Sequence, residues 1–208
     1  MSFRYFHAPE SEMAGLLDGT HTCGLCGVTA RCFNLQRALG SKRLLPATRG
    51  CMTCLQNGRF GFFHVTEVGY LDENGLTWYG EPPMTPARVF IASAAGVQAQ
   101  PCTPEPVAVS PPSEEAIEEL RRTPQFSTWN EVSWPVHCRD FMVFLGSWQP
   151  TDVAKHADLE EMSSRDFFNT MVEPEERDLW RQTEEWGMNF LAFRCTACRQ
   201  YRGIIDLD

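Results

Sequence analysis

The sequence has no apolar run long enough to cross a membrane. Its apolar stretches resemble residues 141–145, against the roughly 20 residues a spanning helix needs. The opening Met1-Ser2-Phe3-Arg4-Tyr5-Phe6-His7 holds no apolar signal core followed by a cleavage site, so a cytoplasmic chain without membrane attachment is expected. It also lacks a glycine-rich phosphate loop, a His-Glu-x-x-His pair and a Gly-x-Ser-x-Gly elbow, which removes the commonest nucleotide, metalloprotease and hydrolase signatures. Positive charge is scarce: 18 Lys and Arg stand against 27 Asp and Glu, for a net charge of −9. The shortfall is uneven, since residues 1–100 carry eight basic and seven acidic side chains and residues 101–208 carry ten and twenty. A nucleic-acid binder ordinarily has the opposite sign, and the C-terminal half should repel phosphate.

Cysteine, by contrast, is present and patterned. Cys23-Gly24-Leu25-Cys26-Gly27 is followed, after 24 intervening residues, by Cys51-Met52-Thr53-Cys54. Two Cys-x-x-Cys bends facing each other supply the four tetrahedral ligands of a structural zinc, and Gly27 permits the tight backbone after the second sulfur. A third pair, Cys195 and Cys198, lies near the C-terminus. Nine cysteines make an odd number, and six sit in metal-type pairs rather than in a disulfide framework, as suits a reducing cytosol. Redox chemistry would need a strand leading into a helix, and neither 27–29 nor 55–57 is expected to open one. Cys32, outside the pairs, reads as a buried thiol.

A chain of 208 residues, 43% hydrophobic and 12% aromatic, can bury a core as one large domain or two small ones. Residues 3–22 look irregular. Residues 58–65 suit a strand bordering the metal site, with His64 a packed or exposed strand residue, and Asp72-Glu73-Asn74-Gly75 suits a hairpin turn between 68–70 and 76–79. Pro82, Pro83 and Pro86 end that unit. Five prolines in 101–112 rule out a helix or central strand there and mark a connection. The expected division is a four-cysteine half over 1–100, a proline-rich connection over 101–113, and a half with acidic helices over 114–208, or one continuous domain. Ser113 should cap a helix ending at Arg122, with Glu114 and Glu115 in its first turn. Trp148-Gln149-Pro150 reads as a turn. Ser163 or Ser164 should cap a helix through Phe167, Phe168 and Met171. A longer helix should start at Pro174, set Leu179, Trp180, Thr183 and Trp186 near one side, and stop at Gly187. Residues 190–193 and 201–205 read as strands flanking the last cysteine pair. The fold class is therefore α+β: zinc-stabilised, with short antiparallel strands and a few acidic helices.

The segment from Thr123 carries Thr123, Pro124, Phe126, Trp129, Trp134, His137, Cys138, Asp140, Phe144, Leu145 and Gly146 in a spaced pattern. With the two early Cys-x-x-Cys pairs, the Phe-rich beginning and Phe193-Arg194-Cys195-Thr196-Ala197-Cys198, it resembles the CbrC family. The chain departs from that pattern at Arg199, where glycine is expected after the final cysteine. The resemblance implies tolerance of nuclease colicins and an immunity partner of a secreted antibacterial toxin, with no catalytic activity.

Adjacent His137 and Cys138 admit two sharper readings. A cysteine nucleophile with a base needs the two to touch, yet strand neighbours point to opposite faces. A candidate second zinc site would join Cys195 and Cys198 to both of them, or to Cys138 and a side chain from elsewhere, under the same geometric objection. Asp140 either orients His137 or starts the next element. Between Asp158 and Glu185 ten acids face three arginines, and Glu160, Glu161, Asp166, Glu175, Glu176, Asp178, Trp180, Glu184 and Glu185 form a candidate partner-binding set. Such a surface suits the basic DNA-binding groove of a cognate nuclease toxin. The expectation is an immunity protein holding one Zn2+, or two, with no direct nucleic-acid partner. The alternative is a nucleic-acid-binding zinc-ribbon regulator using Arg31, Arg37, Lys42, Arg43, Arg49 and Arg59.

Overall fold

A computed structural model describes residues 3–36, 47–72, 74–78, 112–128, 132–186 and 189–205. Residues 101–111 of the expected connection over 101–113, the stops at Pro82, Pro83, Pro86 and Gly187, and Trp129 all lie outside the described residues. Mixed helices and short antiparallel sheets make up the fold. A ribbon of β1 (His21–Thr22) and β2 (Thr29–Ala30) precedes β3 (Cys32–Asn34), which pairs with β4 (Arg49–Cys51). The helix α1 (Met52–Gln56) follows directly, opening at Met52 within the second cysteine pair rather than at 27–29 or 55–57, where no helix is expected to open. It forms because a single turn drives Cys54 and Leu55 into the core together.

Next come β5 (His64–Thr66), β6 (Gly69–Asp72) and β7 (Gly75–Trp78), a meander whose hairpin pairs Asp72 with Gly75. The strand expected from residue 58 starts only at His64, because the glycines and aromatics before it fill the core as irregular chain. Phe60 and Phe62 pack edge to face on each other and on Phe33. Of the packed and exposed places open to it, His64 takes the packed one: its Nε2–H donates to the Thr123 carbonyl at 3.1 Å, and burial pushes the imidazole down to about 4. α2 (Glu114–Arg121) starts at Ser113, whose hydroxyl accepts from the Ala116 N–H at 3.1 Å.

A small hairpin, β8 (Val136–His137) with β9 (Asp140–Phe141), leads into β10 (Val143–Trp148). The expected turn at 148–150 is instead the end of β10 and the start of α3 (Pro150–Leu159). Pro150 takes the first helical position, and the Asp152 carboxylate accepts from the Gln149 N–H. α4 (Ser164–Met171) is capped by Ser163. Residues Pro174–Leu179 wind as 3-10 turns, and only then does α5 (Trp180–Trp186) become α-helical, so the long helix expected from Pro174 is divided.

The chain closes with β11 (Phe190–Arg194) and β12 (Tyr201–Ile205), giving a sheet in the order β10-β11-β12. Along β11, Leu191 and Phe193 face the main core while Phe190 and Ala192 face a second cluster under α3, α4 and α5. Alternate side chains of a strand point opposite ways, so an unbroken apolar run is what a sheet covered on both faces requires. The main core draws Phe3, Tyr5, Phe33 and Phe62 together with Trp134, Phe141, Phe144 and Phe193. Tyr5 and His7 also pair with Phe144 of β10 through two backbone bonds, 2.8 and 2.9 Å long. Among the described residues, no helix is long and apolar enough to cross a membrane.

Candidate metal centres

The first cluster gathers Cys23, Cys26, Cys51 and Cys54, whose ligand atoms all lie within 4.8 Å of one another. Cys23 and Cys26 sit in the bend between β1 and β2, while Cys51 ends β4 and Cys54 lies in α1. The bend is closed by the Gly27 N–H on the Cys23 carbonyl at 2.8 Å and the Cys23 N–H on the Val28 carbonyl at 2.9 Å. Gly27 takes φ 76°, where a side chain would be strained. Gly24 is needed for another reason: a Cβ there would fall 2.6 Å from that of Ala47, closing the approach to β4.

Sulfur spacing decides what this cluster fits. Cys23 and Cys54 are 3.8 Å apart, and Cys26 and Cys51 are 3.7 Å apart. A disulfide needs about 2.05 Å. A tetrahedron with metal–sulfur bonds of about 2.3 Å has edges of about 3.8 Å. The Cys51 N–H also points at Cys23 Sγ, 3.3 Å away, as a donor that would stabilise a thiolate. Burial opposes ionisation of Cys23, but the N–H groups of Cys51, Leu25 and Cys26 bring its thiol down to about 6. At Cys54, burial and the neighbouring sulfurs push it up to about 12. Sulfurs spread this way when they share a small space, and a central cation relieves all of them. Cys32 stays outside the cluster as a buried thiol 3.4 Å from the Ala30 carbonyl.

The second cluster brings together His137, Cys138, Cys195 and Cys198, again within 4.8 Å. The objection that neighbours in a strand diverge is met by a turn. β8 ends at His137, and Cys138 and Arg139 take φ 51° and 64°, which swings both ligand atoms to one side. His137 offers Nδ1, 3.3 Å from Cys198 Sγ. Burial and the nearby Arg202 push its imidazole down, towards the neutral form that a metal takes. Cys195 and Cys198 form the bend between β11 and β12 and repeat the bonding of the first one: the Arg199 N–H donates to the Cys195 carbonyl at 3.0 Å, and the Cys195 N–H to the Gln200 carbonyl at 2.8 Å. Arg199 stands at φ 63°, where the first bend has glycine. Asp140 does not orient His137. Its carboxylate accepts from Tyr5 at 2.5 Å, Arg4 at 2.7 Å and the Phe141 N–H at 2.9 Å, and so anchors the start of β9.

Both donor sets fit a zinc-class cation, and the two clusters could hold metal ions. The uncharacterised protein family UPF0167 matches residues 1–207. The chain belongs to that family. No curated protein and no solved structure matches it.

The acidic set of this UPF0167 chain needs one correction. Glu160, Glu161, Asp166, Glu175, Asp178, Glu184 and Glu185 are exposed, and Glu176 is half-buried, accepting from the Glu173 N–H at 3.1 Å. Trp180 is only 6% exposed and packs on Phe168, so it serves the second core and offers nothing to a partner. Its place in a helix beside acids hid this, because a Trp on a short helix is as well suited to a core as to an interface. Sequence reasoning also missed Glu67, whose carboxylate accepts from the Val136 N–H at 2.8 Å and pairs with Arg202, tying β5 to the frame of the second cluster.

Proposed function

We propose that the protein is an immunity protein that binds a cognate antibacterial nuclease toxin and fills the groove where the toxin takes DNA. Zinc in each of the two clusters holds the scaffold, and the role is binding without catalysis, in the cytoplasm. The observation that carries this reading is the run of exposed carboxylates on consecutive, mutually packed elements from α3 to α5. In the same run the last residue of α3, Leu159, is exposed at 78%, as is Met162 in the link to α4. An apolar anchor within a charged rim is how protein interfaces are commonly built, and such charge speeds encounter with a basic partner. The CbrC resemblance supports the toxin class. The regulator alternative draws on Arg31, which pairs with Glu10, on Arg49, which is exposed in β4, and on Arg59, which donates to the Leu25 carbonyl; Arg37, Lys42 and Arg43 lie outside the described residues.

The test mixes the purified protein with the nuclease encoded beside its gene. The expected result is a stoichiometric complex and loss of DNA cleavage. Replacing Glu160, Glu161 and Glu184 by Lys should slow association at least ~10-fold at low salt, with the difference shrinking as salt rises. Absence of a complex at micromolar concentration, or a salt-sensitive shift of plain DNA by the protein alone, would overturn the reading.

A further inference from the structure

The two clusters are built from the same kind of bend but are held differently. Around the first, Cys23, Cys51 and Cys54 are buried and only Cys26 is exposed. Around the second, only Cys195 is buried, while Cys138 is exposed and His137 and Cys198 are half-covered. Water and competing ligands therefore reach most of the second donor set. Backbone conformation separates the two as well. The first bend uses Gly27 for its left-handed position, whereas the second cluster places Cys138, Arg139 and Arg199 there, three of the four non-glycine residues with positive φ among those described. Side-chain-bearing residues resist that conformation, and they hold it where something else enforces it. Cys23 Sγ receives a backbone N–H at 3.3 Å, and both Cys23 Sγ and Cys195 Sγ lie 4.0 Å from a carbonyl oxygen, of Arg49 and of His137.

The surroundings confine what release would do. The β8–β9 hairpin is only two residue pairs long, Val136 with Phe141 and His137 with Asp140. Its base is fixed independently. Trp134 and Phe141 are buried, the Trp134 indole N–H donates to the Met142 carbonyl at 2.8 Å, and Asp140 is held by Tyr5 and Arg4. Only the tip at 138–139 depends on the sulfurs of the β11–β12 bend.

We propose that the His137–Cys138–Cys195–Cys198 centre is an exchangeable metal latch. It takes up and releases a zinc-class divalent cation while the four-cysteine centre keeps its own, and its occupancy fastens the tip of the β8–β9 hairpin to the β11–β12 bend. The latch rests on the reading that both clusters take a metal. Three strained residues set the second centre at least ~100-fold below the first in affinity.

Zinc-loaded full-length protein is titrated with a chelator of graded concentration. Bound ions are counted by native mass spectrometry, and each step is mapped by thiol alkylation and hydrogen exchange. The expected course is two ions, then one, with Cys138, Cys195 and Cys198 alkylated first and faster exchange confined to 138–139 and 195–200. The Cys138→Ser variant should fold, hold one ion and show that local exchange from the start. Loss of both ions in one step, or alkylation of Cys23, Cys26, Cys51 and Cys54 first, overturns the latch while leaving two metal centres in place. A chain that never holds a second ion overturns the two-metal reading and the latch with it.

Discussion

At the scale of single residues, Gly27 and Arg199 hold equivalent places after the second cysteine of a bend, at φ 76° and 63°, with the same pair of backbone bonds around them. Geometry fixed by the bend has overridden the preference of the side chain. The substitution Arg199→Gly should therefore raise the unfolding free energy of the metal-loaded protein by about 1 kcal/mol, and Gly27→Ala should lower it by a similar amount. Urea denaturation monitored by far-ultraviolet circular dichroism measures both. An Arg199→Gly variant that is no more stable than the parent would mean that the arginine side chain makes contacts worth as much as the strain.

Among the elements, helix ends were the most legible features. Ser113 and Ser163 each cap the helix that begins beside them, because a hydroxyl before an acidic first turn satisfies an otherwise orphaned N–H. Ser113→Ala should cost about 1 kcal/mol in a thermal or urea melt, with no change in the metal content of the protein. The two strands around Cys195 and Cys198 were also legible, since an apolar run broken by a bend has few other solutions. Less of α3 could be read. Pro150 suits a turn and a first helical position equally well, and the spacing of Val153 and Ala157 is too sparse to choose between them. The first metal cluster was legible as spacing, because one ion imposes one geometry on four sulfurs. The turn that lets His137 and Cys138 face the same way was not, because it uses left-handed residues that are not glycine, and their side chains give no sign of it.

For the whole molecule, the decisive fact is that one core is built from both ends of the chain. Tyr5 and Phe6 lie against Phe141 and Phe144, and Thr66 of β5 bridges to Trp134. Unfolding should therefore be a single transition, with Trp fluorescence and circular dichroism giving the same urea midpoint in the metal-loaded protein. Stripping metal from both clusters should lower that midpoint for both signals together. Two separated midpoints in the loaded protein would show that the halves are independent. The contact between Tyr5 and Asp140 spans 135 residues. On a ribosome adding about 5–20 residues each second, the aromatic beginning of the chain waits on the order of ten seconds for the partner that will cover it. Through that interval the emerging polypeptide carries sticky, uncovered rings, which makes it a natural client for the chaperones that meet nascent chains.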